Sequence, residues 1–341
     1  MTIIVVGCGS IGRRHLNNLR ALGMTDLVAC DPSPAARASA AASGAMVTYS
    51  DHREAIARHP DAVAAVVCTP TSIHLGPALD LADRGLHLLI EKPLATRVEG
   101  AAALVALVES KGRTGMMAMC YRFHPGLRLI NSLLERRQIG RVYSARVSGG
   151  HYLPDWHPQV DYRKEYAARA DQGGGVLLTS VIHTLDYLRW FFGECRSVQC
   201  LVGKVSGLEI DTDDMVVGHF VTDEGVVAQL YCDFLQRNRQ HQIEIVGETG
   251  TIRWEYAEHS VDCFQDGAWQ RLPYTFDPNQ MYLDEMRTFL ACAAGTDVPP
   301  VSLAEGLHEV AILEAMRESS RSGAVQSLPG SGEALSLTGR R

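Results

Sequence analysis

The opening of this chain constrains it most: Ile3-Ile4-Val5-Val6-Gly7-Cys8-Gly9-Ser10-Ile11-Gly12-Arg13-Arg14-His15. A β-branched apolar run that breaks into Gly-x-Gly-x-x-Gly and continues with leucines at helical spacing (Leu16, Leu19, Leu22) reads as strand, tight turn, helix. Gly7 permits the turn, Gly9 lets the backbone approach a pyrophosphate, and Gly12 lets the helix lie close to the strand. The first-turn N–H groups, those of Ser10 and Ile11 among them, then face the phosphates. The next apolar run, Leu27-Val28-Ala29-Cys30, ends at Asp31, 19 residues after Gly12. A carboxylate at that strand end accepts both ribose hydroxyls of an adenosine and repels a 2′-phosphate, which predicts NAD(H) over NADP(H). The plainer alternative is a glycine-rich turn in an ordinary βα unit, with Asp31 capping the helix after Pro32.

Apolar runs continue to alternate with helical patterns, predicting an α/β, doubly wound parallel sheet of Rossmann type over residues 1–120. The run Ala62 to Cys68 ends at Thr69-Pro70-Thr71-Ser72-Ile73-His74, and Leu86 to Ile90 ends at Glu91-Lys92-Pro93. Ligands of open α/β sheets bind at the carboxyl ends of the strands, so both loops belong beside the cofactor. A lysine there, followed by a proline that restricts the backbone, points over the site and can hydrogen-bond a substrate oxygen. A surface lysine after a strand fits the same spacing.

Taken together, Gly7-x-Gly9-x-x-Gly12, Thr69-Pro70 with His74, Glu91-Lys92-Pro93, and Tyr121-Arg122-Phe123-x-Pro125 resemble the Gfo/Idh/MocA family of glucose-fructose oxidoreductase and inositol dehydrogenase. The resemblance covers nearly the whole chain, and Glu91-Lys92-Pro93 is its most specific mark. It implies an NAD-dependent oxidoreductase in which Thr69, Pro70, His74, Glu91, Lys92 and Arg122 border the cofactor and Tyr121 borders the substrate.

Residues 121–325 read as a second, α+β domain, with 326–341 a polar tail. Strands are predicted from Val142, Val198, Met215, Val226 and Gln242, several with alternating polarity, and His241 to Trp254 reads as a hairpin. They predict a large, mostly antiparallel open sheet covered on one face by helices. By resemblance, such a sheet packs on its copy in a second subunit, giving a homodimer or homotetramer. The loop from His151 to Arg163 is dense in hydrogen-bonding groups, and Trp156, Tyr162 and Arg163 suit a polyhydroxylated ligand, although a solvated loop or a subunit contact fits too.

The stretch Asp171-Gln172-Gly173-Gly174-Gly175 leads into an apolar helix on which 3.6-residue periodicity puts Thr179, His183, Asp186 and Trp190 on one face. A histidine there either is satisfied within the core or, beside Lys92, takes the proton of a substrate hydroxyl. The resembling family carries Gly-Gly-x-x-x-Asp-x-x-x-His-x-x-Asp at this place, which assigns the proton to His183. This chain has Thr179 where that pattern has its first aspartate, so Thr179 is expected at the substrate without an ionisable group.

Composition excludes other classes. A net charge of −7 and a pI near 6.0 leave no footprint for nucleic acid or an anionic membrane. No apolar run reaches the roughly 18 residues of a spanning helix, and the N-terminus enters a strand without a signal peptide's regions, so a cytoplasmic protein is expected. The nine cysteines are scattered without a C-x-x-C pair and read as small buried hydrophobes, with no metal site predicted. The reading is an NAD(H)-dependent interconversion of a secondary alcohol and a ketone on a sugar, nucleotide-linked sugar or cyclitol. The alternative is an NAD-dependent glycoside hydrolase of the same fold with no net redox change.

Overall fold

A computed structural model describes residues 1–328. The chain divides into two compact units, one formed by Met1–Phe123 with Asp277–Val310, the other by His124–Phe276 with the residues from Ala311 onward.

The first unit opens with β1 (Ile3–Val6), α1 (Ser10–Ala21), β2 (Leu27–Cys30), α2 (Pro34–Ala42), β3 (Val47–Tyr49) and α3 (His52–Arg58). It continues with β4 (Ala64–Val67), α4 (Leu75–Asp83), β5 (His87–Glu91), α5 (Ala101–Ser110) and β6 (Gly115–Ala118). The six strands are parallel, in the order β3-β2-β1-β4-β5-β6. Every residue of β1, β2 and β4 is buried, as unbroken apolar runs covered on both faces require. The order reverses between β1 and β4, which opens a crevice at their carboxyl ends, where Gly7 and Thr69 emerge. Ser33, not Asp31, caps α2 by accepting the N–H of Ala36. Helix α5 starts at Ala101, directly after Gly100, which takes a left-handed conformation.

In the second unit α6 (Pro125–Glu135) precedes β7 (Val142–Gly150), and α7 (Ile182–Phe192) precedes β8 (Cys195–Gly203), β9 (Met215–Thr222) and β10 (Val227–Asp233). Then come β11 (Gln240–Gly247), β12 (Gly250–Glu255), β13 (Ser260–Gln265) and β14 (Ala268–Pro273). The last two strands were not among those expected from sequence. β14 is exposed at all but one position and shows no alternation for a pattern to reveal.

The chain then returns to the first unit through α8 (Gln280–Ala293) and the start of α9 (Leu303–Ser322), so the second unit is not the continuous 121–325 of the sequence reading. The apolar face of α8 (Met281, Met286, Phe289, Cys292) is buried there. Met117 N–H donates to the Val301 carbonyl, so residues 301–302 cover the edge of β6. The later turns of α9 lie on the second sheet, with the Ser319 hydroxyl accepting Cys200 N–H. Finally β15 (Gln326–Ser327) pairs with β8, so the first residues of the expected polar tail extend the sheet, and 329–341 lie outside the described residues.

The second sheet runs β14-β13-β12-β11-β7-β10-β9-β8-β15 and is antiparallel except between β7 and β10. Burial alternates along β9 and β10, leaving one face without helices. Among the described residues no helix is long and apolar enough to cross a membrane.

Candidate cofactor and catalytic site

The turn after β1 is shaped as the glycine spacing requires. Gly7 has φ +92°, and a Cβ there would stand 2.5 Å from the Cys68 carbonyl oxygen. A Cβ on Gly12 would lie 1.9 Å from the Gly7 carbonyl oxygen, so α1 rests directly on the turn. Gly9 is exposed and has no heavy atom within 4 Å of a built Cβ. It is also the N-cap of α1, and no side chain caps the first turn, where Ser10 and Ile11 keep their N–H groups for an anion. Asp31 reaches back from the end of β2: Oδ2 accepts Cys8 N–H at 2.8 Å and Oδ1 accepts Ser33 N–H at 2.8 Å. Each oxygen keeps lone-pair capacity for a ribose hydroxyl. The cradle, the open helix terminus and this carboxylate fit NAD: the glycine turn and α1 would hold its pyrophosphate and Asp31 its adenosine ribose.

The loops after β4 and β5 adjoin this cradle. Thr69 and Pro70 are half-buried at the carboxyl end of β4. His74 is buried, with Nε2 2.8 Å from the Thr69 carbonyl and Nδ1 2.9 Å from the Pro93 carbonyl. Its ring therefore straps the two loops together, a supporting place rather than an open ligand position. Burial lowers its pKa, although the Thr69 carbonyl and Glu91 pull upward. Glu91 and Lys92 diverge as neighbours on a strand do. Glu91 turns inward, where His15 Nε2 donates to Oε1 at 2.8 Å, while Lys92 stays half-exposed. Burial works to raise the Glu91 carboxyl, but the His15 hydrogen bond and the charges of His15, Lys92 and His74 outweigh it and hold the group below its ordinary range. The Lys92–Pro93 peptide is cis. Tyr121 and Arg122, half-buried, occupy the short turn Cys120–Phe123 after β6. Within the first unit, Gly7 to Gly12, Asp31, Thr69, Pro70, Lys92, Tyr121 and Arg122 all gather at the carboxyl ends of parallel strands.

The second unit treats its predicted residues differently. The glycine run does not leave an open helix terminus. A Cβ on Gly174 would meet the Tyr166 carbonyl at 2.3 Å, one on Gly175 would meet Asp213 Oδ1 at 2.3 Å, and Asp213 Oδ2 accepts Leu177 N–H at 2.8 Å. Burial pushes the Asp213 carboxyl up against the pull of that N–H. Leu177–Val181 then form one π-helical turn before α7, so the 3.6-residue phase that aligned Thr179 with His183 does not hold. Thr179 and Asp186 are buried, His183 and Trp190 half-buried. The Thr179 hydroxyl donates to the Gly175 carbonyl at 2.7 Å.

The polar loop largely satisfies itself. Trp156 donates its indole N–H to the His151 carbonyl at 3.1 Å and meets Phe234 edge-on. Arg163 binds Asp161 and Glu209, which raise its pKa, and the Tyr162 hydroxyl accepts Glu209 N–H at 3.2 Å. Sequence reasoning missed Asp213, His15 and the buried Glu285 of α8, because side chains far apart in the chain leave no local pattern where they meet.

An open anion-binding helix terminus, a ribose-facing carboxylate and a lysine at the next strand end but one define a dinucleotide-dependent oxidoreductase. The family model described as an oxidoreductase family with an NAD-binding Rossmann fold matches residues 1–119, and the family's C-terminal domain matches residues 127–253. The chain belongs to the Gfo/Idh/MocA family, and its cofactor is NAD. It is 28% identical over 317 residues to a myo-inositol dehydrogenase of Streptomyces leeuwenhoekii, covering 89% of this chain and 91% of that one. It is 26% identical over 290 residues to the levoglucosan dehydrogenase of Pseudarthrobacter phenanthrenivorans, covering 75% and 74%. In fold it is similar to a levoglucosan dehydrogenase solved with NADH and L-sorbose, with a TM-score of 0.86, 24% identity and coverage of 97% and 99%.

Proposed function

We propose that this oxidoreductase interconverts a secondary alcohol and a ketone on a sugar, nucleotide-linked sugar or cyclitol. The observation that carries the reading is Lys92, half-exposed at the carboxyl end of β5 within the unit that holds the glycine cradle and Asp31. The inositol and levoglucosan dehydrogenases to which the chain is similar support the substrate class.

Bound NAD supplies the hydride acceptor or donor. The Lys92 ammonium holds the reacting oxygen by hydrogen bonding and favours negative charge developing on it. His183 takes the hydroxyl proton in the oxidative direction and returns it in reduction. Asp31, with both oxygens anchored to backbone N–H groups, orients the adenosine end and disfavours a 2′-phosphate. Tyr121, Trp156, Tyr162, Arg163 and Thr179 are assigned to shaping the substrate side.

The open face of the second sheet supports a homodimer or homotetramer. Leu201, Val217, Val227 and Val246 lie on it, exposed, where the strand registers put them on one side. Light scattering of the purified protein checks this. The acidic balance of the chain favours cytoplasmic small-molecule chemistry over nucleic-acid or membrane partners.

The test is a screen of sugars, nucleotide-linked sugars and cyclitols with NAD, following absorbance of the reduced cofactor, with Lys92→Ala and His183→Ala alongside the parent. Each variant is expected to lose at least about a hundredfold in turnover while unfolding at the parent's temperature. Undiminished turnover in either variant removes that residue from the mechanism. Hydrolysis of a chromogenic glycoside without net change in cofactor would establish the hydrolase instead.

A further inference from the structure

One loop of the second unit carries cations that the proposed chemistry leaves unused. Between β10 and β11 the chain runs Gln236-Arg237-Asn238-Arg239, and the last three of these residues are exposed. Other exposed arginines of this unit spend their charge within the protein: Arg146, Arg163, Arg169, Arg253 and Arg271 each meet a carboxylate. Arg237 and Arg239 meet none, and neither side chain donates a hydrogen bond among the described residues. Each lies instead over an aromatic face. Arg237 Cζ is 3.6 Å from the centroid of the Tyr152 ring, and Arg239 Cζ is 4.7 Å from that of Tyr256. Cation–π attraction of this kind fixes a guanidinium while its N–H donors stay available to an acceptor.

The loop is braced on both sides. Asp233 Oδ1 accepts the N–H groups of Leu235 at 2.7 Å and Gln236 at 3.0 Å, and Oδ2 accepts the Gln236 amide at 3.2 Å. The buried Asp233 carboxylate is thereby committed to folding the turn. Alongside, His151, Tyr152 and Leu153 donate their backbone N–H groups to the carbonyls of Asp233, Gln236 and Phe234, which brings Tyr152 to Arg237. Asp155, on that adjoining segment, is exposed and forms no ion pair among the described residues. The loop is also anchored on the helix that carries His183. Cys232 Sγ, at the end of β10, is 3.9 Å from the Thr184 hydroxyl, and His241 Nε2, at the start of β11, is 3.1 Å from the Tyr187 hydroxyl. Thr184 follows His183 directly, and Tyr187 stands one turn beyond it on α7. The two arginines thus sit in a short loop whose ends are both fastened beside His183.

We propose that Arg237 and Arg239 bind an anionic substituent of the substrate, a phosphate or a carboxylate, so that the enzyme acts on an acidic, phosphorylated or nucleotide-linked sugar rather than a neutral one. This rests on the reading that the second unit holds the sugar and that His183 handles its proton. A guanidinium fork matches the paired oxygens of either anion. Two cations without a carboxylate also offset locally the net charge of −7, which otherwise repels such a ligand. A neutral polyol offers these arginines little that water does not.

The experiment uses the full chain saturated with NADH, so that the glycine cradle is filled, and titrates it by calorimetry with glucose, glucuronate, glucose 6-phosphate and inorganic pyrophosphate. The parent is compared with the double variant Arg237→Gln/Arg239→Gln and with Arg321→Gln, which removes an exposed charge already paired with Glu318. At least one anionic probe is expected to bind the parent at least about tenfold more tightly than the double variant, and the gap should shrink as salt rises from about 50 mM to about 300 mM. Arg321→Gln should bind as the parent does, and both variants should unfold within about 2 °C of it. Binding of glucuronate alone identifies a carboxylate, and binding of glucose 6-phosphate and pyrophosphate identifies a phosphate.

Equal binding of the anions by the parent and the double variant, no anion binding by the parent, or an equal loss in Arg321→Gln overturns the proposal. Turnover of a neutral sugar or cyclitol with a kcat/KM unmoved by the double substitution overturns it too, and leaves the proposed function standing. Undiminished turnover in Lys92→Ala and His183→Ala would instead sink the proposed roles of those residues, while the titrations still report on the arginines.

Discussion

Gly9 and Gly12 differ in what surrounds them, which allows folding to be separated from cofactor binding. A methyl group on Gly12 would sit 1.9 Å from the Gly7 carbonyl oxygen, 3.0 Å from its carbon and 3.4 Å from Cys68 Cβ. Ordinary contact between such atoms needs about 3.5 Å, so α1 would have to lift from the turn by roughly 1.5 Å. The obstacle is backbone and cannot rotate away, which puts Gly12→Ala at the upper end of overpacking costs, about 3 kcal/mol. For a unit of this size each kcal/mol lowers the unfolding temperature by about 2–4 °C, giving a loss of about 6–12 °C. Gly9→Ala meets nothing within 4 Å and is expected to stay within about 0.5 kcal/mol of the parent. Its methyl group, however, stands where the backbone should approach the pyrophosphate, so the dissociation constant for NADH should rise at least about tenfold. Differential scanning calorimetry and NADH fluorescence titration on the same preparations read the two effects separately. Equal thermal losses in both variants, or a Gly12→Ala protein as stable as the parent, would refute the packing argument. Undiminished NADH affinity in Gly9→Ala would refute the placement of the phosphates.

Two further substitutions probe Asp31 of the glycine cradle and Thr179 of the second unit. Asp31→Asn keeps an oxygen for one backbone N–H but loses the charge, so NADH should bind about tenfold more weakly and its preference over NADPH should narrow, as parallel titrations with both cofactors will show. Thr179→Val removes the hydroxyl that donates to the Gly175 carbonyl while keeping the side chain's shape, and is expected to cost about 1 kcal/mol of stability with turnover within about threefold of the parent. A loss of turnover beyond tenfold would mean that Thr179 handles a proton.

The parts legible in the sequence are those whose cause is local. β1, β2 and β4 are unbroken apolar runs, and Gly7 and Gly12 are glycines because neighbouring backbone fills the space a Cβ would take. The less legible parts depend on what distant residues supply. His74 carries the same sequence signal whether it meets a cofactor or two loop carbonyls, and only the folded loops decide. The shared face of Thr179 and His183 followed from a uniform helical period, which the π turn at Leu177–Val181 breaks. Glu285 reads as one more acid on an amphipathic helix, since its burial depends on where α8 docks. Trp156 and Arg163 were chosen for their chemistry, yet within their own unit that chemistry is engaged by His151, Asp161 and Glu209.

The return of residues 277–310 to the first unit sets an order of events during synthesis. The first part of the nucleotide-binding unit precedes the second unit, but all of His124–Phe276 must leave the ribosome before α8 arrives to pack against α1 and residues 301–302 reach the edge of β6. Until then the nascent sheet carries an uncovered edge strand and an open apolar flank, the features that invite pairing with other chains. The unit begun before the other is therefore the one completed late, and a nascent chain stalled within the second unit would expose an unfinished Rossmann sheet to chaperones and proteases.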